Sequence, residues 1–219
     1  NLKIDMTPPT ITSATTGKNW NTETDAEVSN EVDSLVILFG EAIDGDSVSA
    51  GDFTVENNTV VSANTYADAA DGKVYLELGV DLAADAEPEV SLAVSGAVSD
   101  LAGNALTDDT VASTDNISPT MTNTVSHALA DLEDEVKVTV STDEKLAVAG
   151  LKMTIHGPAG STGAGTITTT SPSTNVNEGT LTVAAGTATG QYGASIQITD
   201  LGANVVDNLT DVSAETVAA

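Results

Sequence analysis

Short segments in which apolar and polar residues alternate recur along this chain and favour one kind of secondary structure. The alternation runs through residues 74–78 and 90–94 in the first half, and through residues 136–140, 151–155 and 194–198 in the second. A period of two places every second side chain on the same face, as in a β-strand with one face buried. Val and Thr, which are abundant here, also favour such strands. The sequence therefore predicts an all-β fold.

Two sequence landmarks occur twice, separated by about one domain length of 100 residues. Residues 5–10 (DMTPPT) have a counterpart in residues 115–120 (DNISPT), and residues 99–104 (SDLAGN) have one in residues 199–204 (TDLGAN). Landmarks repeated at this spacing predict tandem copies of one architecture. We therefore expect two β-sandwich domains, residues 1–114 and 115–219, with the boundary at Asp115.

The charge balance restricts the partners of this chain. It has 33 acidic residues against 6 basic ones, all of them lysine, and a net charge of −27. Such a surface repels phosphate backbones and anionic lipid headgroups, so we expect neither nucleic-acid binding nor membrane docking. The longest strongly apolar run, residues 35–39, is too short to cross a bilayer. The carboxylates either bind cations specifically or keep a surface protein solvated in salt, and composition leaves both interpretations open.

Four segments resemble the immunoglobulin-like domains that bacteria and archaea string together in adhesins, large secreted surface proteins and S-layers. They are Asp5-x-Thr7-Pro8-Pro9 and residues 36–44, 52–55 and 99–104. The second domain matches less completely, since it lacks a counterpart of residues 52–55 and has Ala203 where the first has Gly103. The resemblance implies tandem immunoglobulin-like β-sandwiches in an extracellular rod or lattice at the cell surface or cell wall. Its partners would be neighbouring domains or further copies of the same surface protein.

Asp residues near the predicted domain junction indicate a calcium site. Calcium takes about six to eight oxygen ligands from carboxylates, carbonyls and water, and the loops of a sandwich meet at its ends. The candidate ligands are Asp100, Asn104, Asp115, Glu41 and Asp44, and Asp5 is expected to begin a similar site shared with a preceding domain. Asp and Asn also stabilise turns by bonding to their own backbone, and that alternative stays open.

Three Asn-x-Ser/Thr sequences are candidate sites of N-linked glycosylation, at Asn57, Asn116 and Asn208. Asn57 is favoured because it lies in a predicted loop between strands. Asn116 is disfavoured because Pro119 directly follows its sequon. Modification at any of the three requires export to a glycosylating surface.

Trp20 lies between Asn19 and Asn21 in a predicted polar loop, where we expect an exposed aromatic ring, and it is a candidate for stacking on a sugar ring. The alternative is that its side chain closes one end of a sandwich. An exposed Trp20 ring would indicate a carbohydrate-binding module, and a buried one would indicate a purely structural module.

Residues suited to catalysis are scarce. His127 and His156 are the only histidines, and cysteine is absent. A histidine-based triad, a multi-histidine metal site and a cysteine nucleophile are therefore not expected. We predict a structural or adhesive module rather than an enzyme. The alternatives are a carbohydrate- or host-binding module, and a fibre subunit that donates residues 1–16 as a strand to its neighbour.

Overall fold

The computed structural model describes residues 4–107, 109–126, 135–156, 168–173, 175–182, 191–208 and 215–216. These residues form β-strands joined by turns and three short 3₁₀ segments, which confirms the predicted all-β class. Within this part of the chain, no helix is long and apolar enough to cross a membrane. The structure divides into unit 1 (Asn1–Ile117) and unit 2 (Ser118–Ala219), close to the boundary at Asp115 that the sequence predicts.

Unit 1 contains nine strands among its described residues. They are β1 (Ile11–Thr16), β2 (Lys18–Asn21), β3 (Ala26–Ser29), β4 (Ser34–Phe39), β5 (Phe53–Val55), β6 (Val60–Asn64), β7 (Lys73–Leu78), β8 (Glu89–Leu92) and β9 (Thr110–Thr114). Seven of them form one hydrogen-bonded path in the order β5-β8-β9-β1-β4-β7-β6, while β2 and β3 pair as a separate hairpin.

Strand β1 belongs to both halves of this path. It pairs antiparallel with β4, where Ala14 lies opposite Ile37, and parallel with β9, where Ala14 lies opposite Ser113. The path thus consists of the groups β1-β4-β7-β6 and β5-β8-β9. Counted along the chain without the inserted hairpin, these are the A-B-E-D and C-F-G groups of an immunoglobulin constant-type sandwich.

One aliphatic core joins the two groups of strands. Leu35 of β4 and Leu76 of β7 are buried in the same cluster as Phe53 of β5 and Val90 of β8. On a flat sheet β5 and β7 would lie five strand spacings apart, or about 24 Å. A shared core therefore requires the path to fold over into two packed layers, which is the predicted sandwich.

Unit 2 repeats the strand order of unit 1. Its strands are β10 (Met121–Ser126), β11 (Glu135–Thr142), β12 (Leu146–His156), β13 (Thr168–Ser173), β14 (Val176–Thr182), β15 (Gln191–Asp200), β16 (Val205–Asn208) and β17 (Glu215–Thr216). One sheet has the order β10-β11-β14-β13 and the other β12-β15-β16, with β17 paired to β15. These are again the A-B-E-D and C-F-G groups, and Val140, Ile196 and Ile198 are buried within the unit.

The alternation of β4 yields a matched pair of variants. Ile37 is buried in the core, whereas Leu38 on the opposite face is 38% exposed. Ile37→Ala is expected to destabilise unit 1 by about 2–5 kcal/mol, because it leaves a cavity. Leu38→Ala should cost about 1 kcal/mol or less. Urea unfolding followed through the fluorescence of Trp20, the single tryptophan, measures both. Equal losses would contradict the assigned faces of β4.

Candidate functional site

The carboxylate of Asp100 organises the loop that carries the repeated landmark of unit 1. Asp100 is buried, and its Oδ1 accepts hydrogen bonds from the backbone N–H groups of Ala102 and Asn104, both at 2.8 Å. Its Oδ2 accepts a third bond from the Asn104 side-chain amide at 2.7 Å. Gly103 completes the turn in the left-handed region, with φ of +85°. Asp100 and Asn104 therefore stabilise their own loop, as the turn-capping alternative describes.

Unit 2 has the same loop geometry. Oδ1 of buried Asp200 accepts from the Asn204 backbone N–H at 2.8 Å, and Oδ2 accepts from the Asn204 side-chain amide at 2.8 Å. Ala203 takes the place of Gly103 and keeps the left-handed backbone, with φ of +68°. A non-glycine residue in this conformation costs about 1–2 kcal/mol. The Asp–Asn pair thus maintains the turn without glycine.

Three carboxylates converge at one end of unit 1. Asp5, Glu41 and Asp100 each contribute an oxygen, and these oxygens lie within 4.8 Å of one another. Together with Ala42 and Leu101, they line an open cavity of about 380 Å³. The strand directions explain the grouping, since Asp5 precedes β1, Glu41 follows the antiparallel β4, and Asp100 lies in the loop between β8 and β9. We call these three residues the acidic cluster.

The members of the acidic cluster differ in their electrostatics. Desolvation raises the pKa of Glu41, and the negative charges of Asp100 and Asp5 raise it further. Desolvation also acts to raise the pKa of Asp100. The hydrogen bonds from Asn104 and Ala102 outweigh it and hold the pKa of Asp100 below its ordinary value of 3.8. The negative charges of Asp5 and Asp100 therefore disfavour the ionised form of Glu41.

Asp115 does not belong to the acidic cluster. Strands β1 and β9 are parallel, so Asp115, which follows β9, lies at the opposite end of unit 1 from Asp5, which precedes β1. The expected grouping of Asp100 and Glu41 with Asp115 is therefore corrected, because within unit 1 their partner is Asp5. The sequence indicated that carboxylates would be the ligands. Which carboxylates meet depends on the parallel pairing of β1 with β9.

The two Asp residues that begin the repeated landmarks do share a local turn. Oδ1 of Asp5 accepts from the backbone N–H of Thr7 at 3.0 Å, and Oδ1 of Asp115 accepts from that of Ile117 at 2.9 Å. Asp44 has a different role, since its Oδ1 accepts from the N–H of Asp46 at 3.1 Å and caps a 3₁₀ turn.

Glu144 in unit 2 was not among the candidate metal ligands named from the sequence. It is buried, and its carboxylate oxygens approach those of buried Asp200 to within 4.8 Å. Glu144 follows β11 by two residues, as Glu41 follows β4. The sequence signal for Glu144 is therefore its position two residues after strand B, which is β4 in unit 1 and β11 in unit 2.

Trp20 lies on β2 of the inserted hairpin rather than in a polar loop. Its ring centroid is 5.7 Å from that of Tyr75 and 6.0 Å from that of Tyr66. Tyr75 lies on the outer face of β7, opposite the core residues Val74 and Leu76, yet it is only 1% exposed because the hairpin packs over it. Trp20 is half-buried, which corrects the expectation of an exposed aromatic side chain.

A polar network attaches the hairpin to the sheet. The Tyr75 hydroxyl lies 2.7 Å from Asp68 Oδ2 and 3.0 Å from Glu27 Oε2, and donates its proton to one of these carboxylates. Nζ of Lys73 lies 2.8 Å from Glu27 Oε2, and Nζ of Lys18 lies 3.3 Å from Glu27 Oε1. Burial raises the pKa of Tyr75, and Asp68 and Glu27 raise it further, so Tyr75 remains a hydrogen-bond donor.

The other predicted site residues are dispersed. Asn57 is exposed in the turn between β5 and β6, Asn116 is half-buried, and Asn208 ends β16. His127 and the rest of the Asn208 sequon lie outside the described residues, and His156 ends β12. Of the proposed donor strand, residues 11–16 form β1 and are paired on both sides within unit 1.

No family model and no curated protein matches the chain. Among solved structures, a crystal structure of bovine butyrophilin shows 9% identity and a TM-score of 0.39, covering 85% of this chain and 90% of its own. A similarity this low does not define the fold of the chain, which is assigned instead from the strand order of each unit.

The Asp100–Asn104 pair generates a pH-dependent prediction. Because the folded pKa of Asp100 is depressed, its contribution to stability is present above about pH 4 and is lost as the pH falls through the folded value. Asn104→Ala is expected to destabilise unit 1 at pH 7 and to do so progressively less below pH 4. Urea unfolding at several pH values tests this. A constant difference would mean that Asn104 acts through packing alone.

The hairpin network provides a second matched pair. Tyr75→Phe keeps the ring but removes the hydroxyl between two carboxylates, and should cost about 1–3 kcal/mol. Tyr66→Phe is the control, because the Tyr66 hydroxyl makes no hydrogen bond among the described residues. A neutral Tyr75→Phe variant in urea unfolding would show that the hydroxyl does not help to hold the hairpin.

Proposed function

We propose that this chain is a structural, non-catalytic module of a cell-surface protein, and that calcium binds at the ends of its immunoglobulin-like domains. The observation that carries the proposal is the acidic cluster, in which three carboxylates meet within 4.8 Å at one end of unit 1. An S-layer or a large adhesin is the kind of parent protein that the sequence resembles. The chain acts outside the cell, at the surface or in the wall.

The chemistry of the acidic cluster fits calcium. Calcium prefers hard oxygen ligands, and water or backbone carbonyls complete the coordination shell. Extracellular modules bind this ion with Kd of about 10⁻⁴–10⁻³ M, which suits a site of three carboxylates with open access. Binding offsets the repulsion from Asp100 and Asp5, which adds to desolvation in raising the pKa of Glu41. In a chain of net charge −27, this relief has few other sources.

The partners in this proposal are neighbouring domains or further copies of the same protein. Exposed apolar residues directly follow two members of the acidic cluster along the chain. Met6, after Asp5, is 80% exposed, and Leu101, after Asp100, is 73% exposed. Leu201, the counterpart of Leu101 in the repeated loop, is 64% exposed. Apolar side chains beside carboxylates favour a contact surface in which an ion and a neighbouring domain are bound together.

The two alternative functions receive less support. A glycan-binding role requires an open aromatic face, but Trp20 packs against Tyr66 and Tyr75. Strand donation requires a free segment, but β1 already pairs with β4 and β9.

The calcium site predicts a specific gain in stability. If calcium binds only the folded state, a concentration of 100 times Kd adds about 2.7 kcal/mol. The melting temperature of the chain should therefore rise with calcium above its value in EDTA and above its value in sodium chloride of equal ionic strength. If calcium has no more effect than matched salt, the carboxylates act only as a solvating surface.

Glu41→Gln tests the residue assignment. Without calcium at pH 7, this variant should melt at a higher temperature than the wild type, since the amide removes a repelled charge. The gain should vanish below pH 4.5, the ordinary pKa of Glu, as wild-type Glu41 becomes protonated. Calcium should then stabilise Glu41→Gln and Asp100→Asn less than it stabilises the wild type.

Asp46→Asn is the matched control for charge, because Asp46 is exposed and lies outside the acidic cluster. It should retain the full calcium effect. If Glu41→Gln and Asp100→Asn also retain it, the ion binds elsewhere and the assigned ligands are wrong.

A further inference from the structure

The turn between β5 and β6 presents Asn57 to solvent. The backbone N–H of Asn58 donates to the carbonyl of Val55 at 3.1 Å, which closes a tight turn over Glu56 and Asn57. Asn57 adopts the left-handed conformation, with φ of +57°, and is exposed, as is Thr59. Asn tolerates this conformation better than most residues. The sequon Asn57-Asn58-Thr59 therefore occupies the tip of a tight turn.

Asn58 fixes this turn and leaves the side chain of Asn57 available. Nδ2 of Asn58 donates to the Val80 carbonyl at 2.8 Å. Its Oδ1 accepts from the N–H groups of Thr59 at 2.9 Å and Val80 at 3.2 Å. Among the described residues, the side-chain amide of Asn57 makes no hydrogen bond. The acceptor amide can therefore react without breaking any contact of the turn.

The surroundings of Asn57 can accommodate a bulky substituent. An open cavity of about 340 Å³ lies beside it and is lined partly by Val80, Leu82 and Pro88. Val80 is 63% exposed, so it offers an apolar surface against which the less polar face of a sugar ring can pack.

We propose that Asn57 is a site of N-linked glycosylation. The donor is an oligosaccharide joined through its anomeric carbon to a lipid phosphate or pyrophosphate. The Asn57 amide nitrogen forms a bond to that carbon, and the bond from the carbon to the phosphate oxygen breaks. The lipid phosphate leaves with the bonding electrons, and the amide proton passes to a base of the transferase. No oxidation or reduction takes place.

The position of Asn57 gives this modification a physical consequence. Strands β5 and β6 are the two ends of the hydrogen-bonded path of unit 1, so Asn57 lies in the turn that joins both open sheet edges. Exposed edges are where strands of another chain can pair, and Val61 on β6 is 59% exposed. A glycan at Asn57 covers both edges and disfavours edge-to-edge association between copies.

The sequon at Asn116 differs in its structure. Asn116 is half-buried, its backbone N–H donates to Thr16 Oγ1 at 3.2 Å, and Ile117 in the middle of the sequon is only 3% exposed. In addition, Pro119 directly follows the sequon. A transferase can therefore reach Asn57 in the folded chain but not Asn116.

The test uses the folded, unmodified full chain with a purified oligosaccharyltransferase and a lipid-linked oligosaccharide. Because the lysines are few, trypsin places the three sequons in different peptides, residues 19–73, 74–137 and 153–219. Mass spectrometry is expected to find the glycan on residues 19–73. Thr59→Ala destroys the sequon without altering Asn57 and should abolish this modification. A synthetic peptide of residues 53–63 is the positive control for the enzyme.

With an enzyme preparation that modifies the synthetic peptide, an unmodified 19–73 peptide from the folded chain overturns the proposal. Modification of residues 74–137 in preference to 19–73 overturns it as well. In cells the modification requires the export proposed above, but the assay with purified components does not. Its outcome is also independent of calcium, so failure of the glycosylation site and failure of the proposed function are distinguishable.

Discussion

The double pairing of β1, antiparallel with β4 and parallel with β9, is the interaction on which the rest of unit 1 depends. It carries the hydrogen-bonded path from one layer to the other, so that side chains from both layers share one core. It also determines which loops meet. The start of β1, the end of β4 and the loop between β8 and β9 lie together, and the acidic cluster forms there.

Positive charge is scarce in this chain, and this limits which carboxylates can form ion pairs. The salt bridges among the described residues all involve Glu27 or Asp68. Lys73 on β7 attaches the hairpin to the sheet through Glu27, and Lys18 pairs with Glu27 within the hairpin. The carboxylates at the end of unit 1 have no such ion pair in the described part of the chain. Two groups of acidic residues in unit 1 thus differ in their partners. Glu27 and Asp68 contact lysine and tyrosine side chains, whereas Asp5 and Asp100 accept hydrogen bonds from nearby backbone N–H groups and, at Asp100, from the Asn104 amide.

The sequence predicted those features of the fold that depend on residues close together in the chain. Alternation predicted the strands, and the repeated landmarks predicted two copies of one architecture, which the matching strand orders agree with. The grouping of Asp100 with Asp5 was not predictable, because it depends on a parallel pairing between residues about 100 positions apart. The burial of Tyr75 was also missed. Alternation places it on the solvent face, and only the hairpin inserted after β1 covers that face.

Gly103 and Ala203 show that the repeated turn does not require glycine. Both residues occupy the left-handed position of the same turn, yet only one is glycine. In both turns the Asp carboxylate binds the backbone and the side chain of an Asn four residues later. The invariant part of the loop is therefore a pair of polar side chains at a fixed separation, and the residue between them is free to vary at a modest energetic penalty. Distant copies of this domain should accordingly be sought by an Asp-x-x-x-Asn spacing at or after the end of strand F, which is β8 in unit 1 and β15 in unit 2. A search that requires glycine in this loop would miss the second copy in this chain.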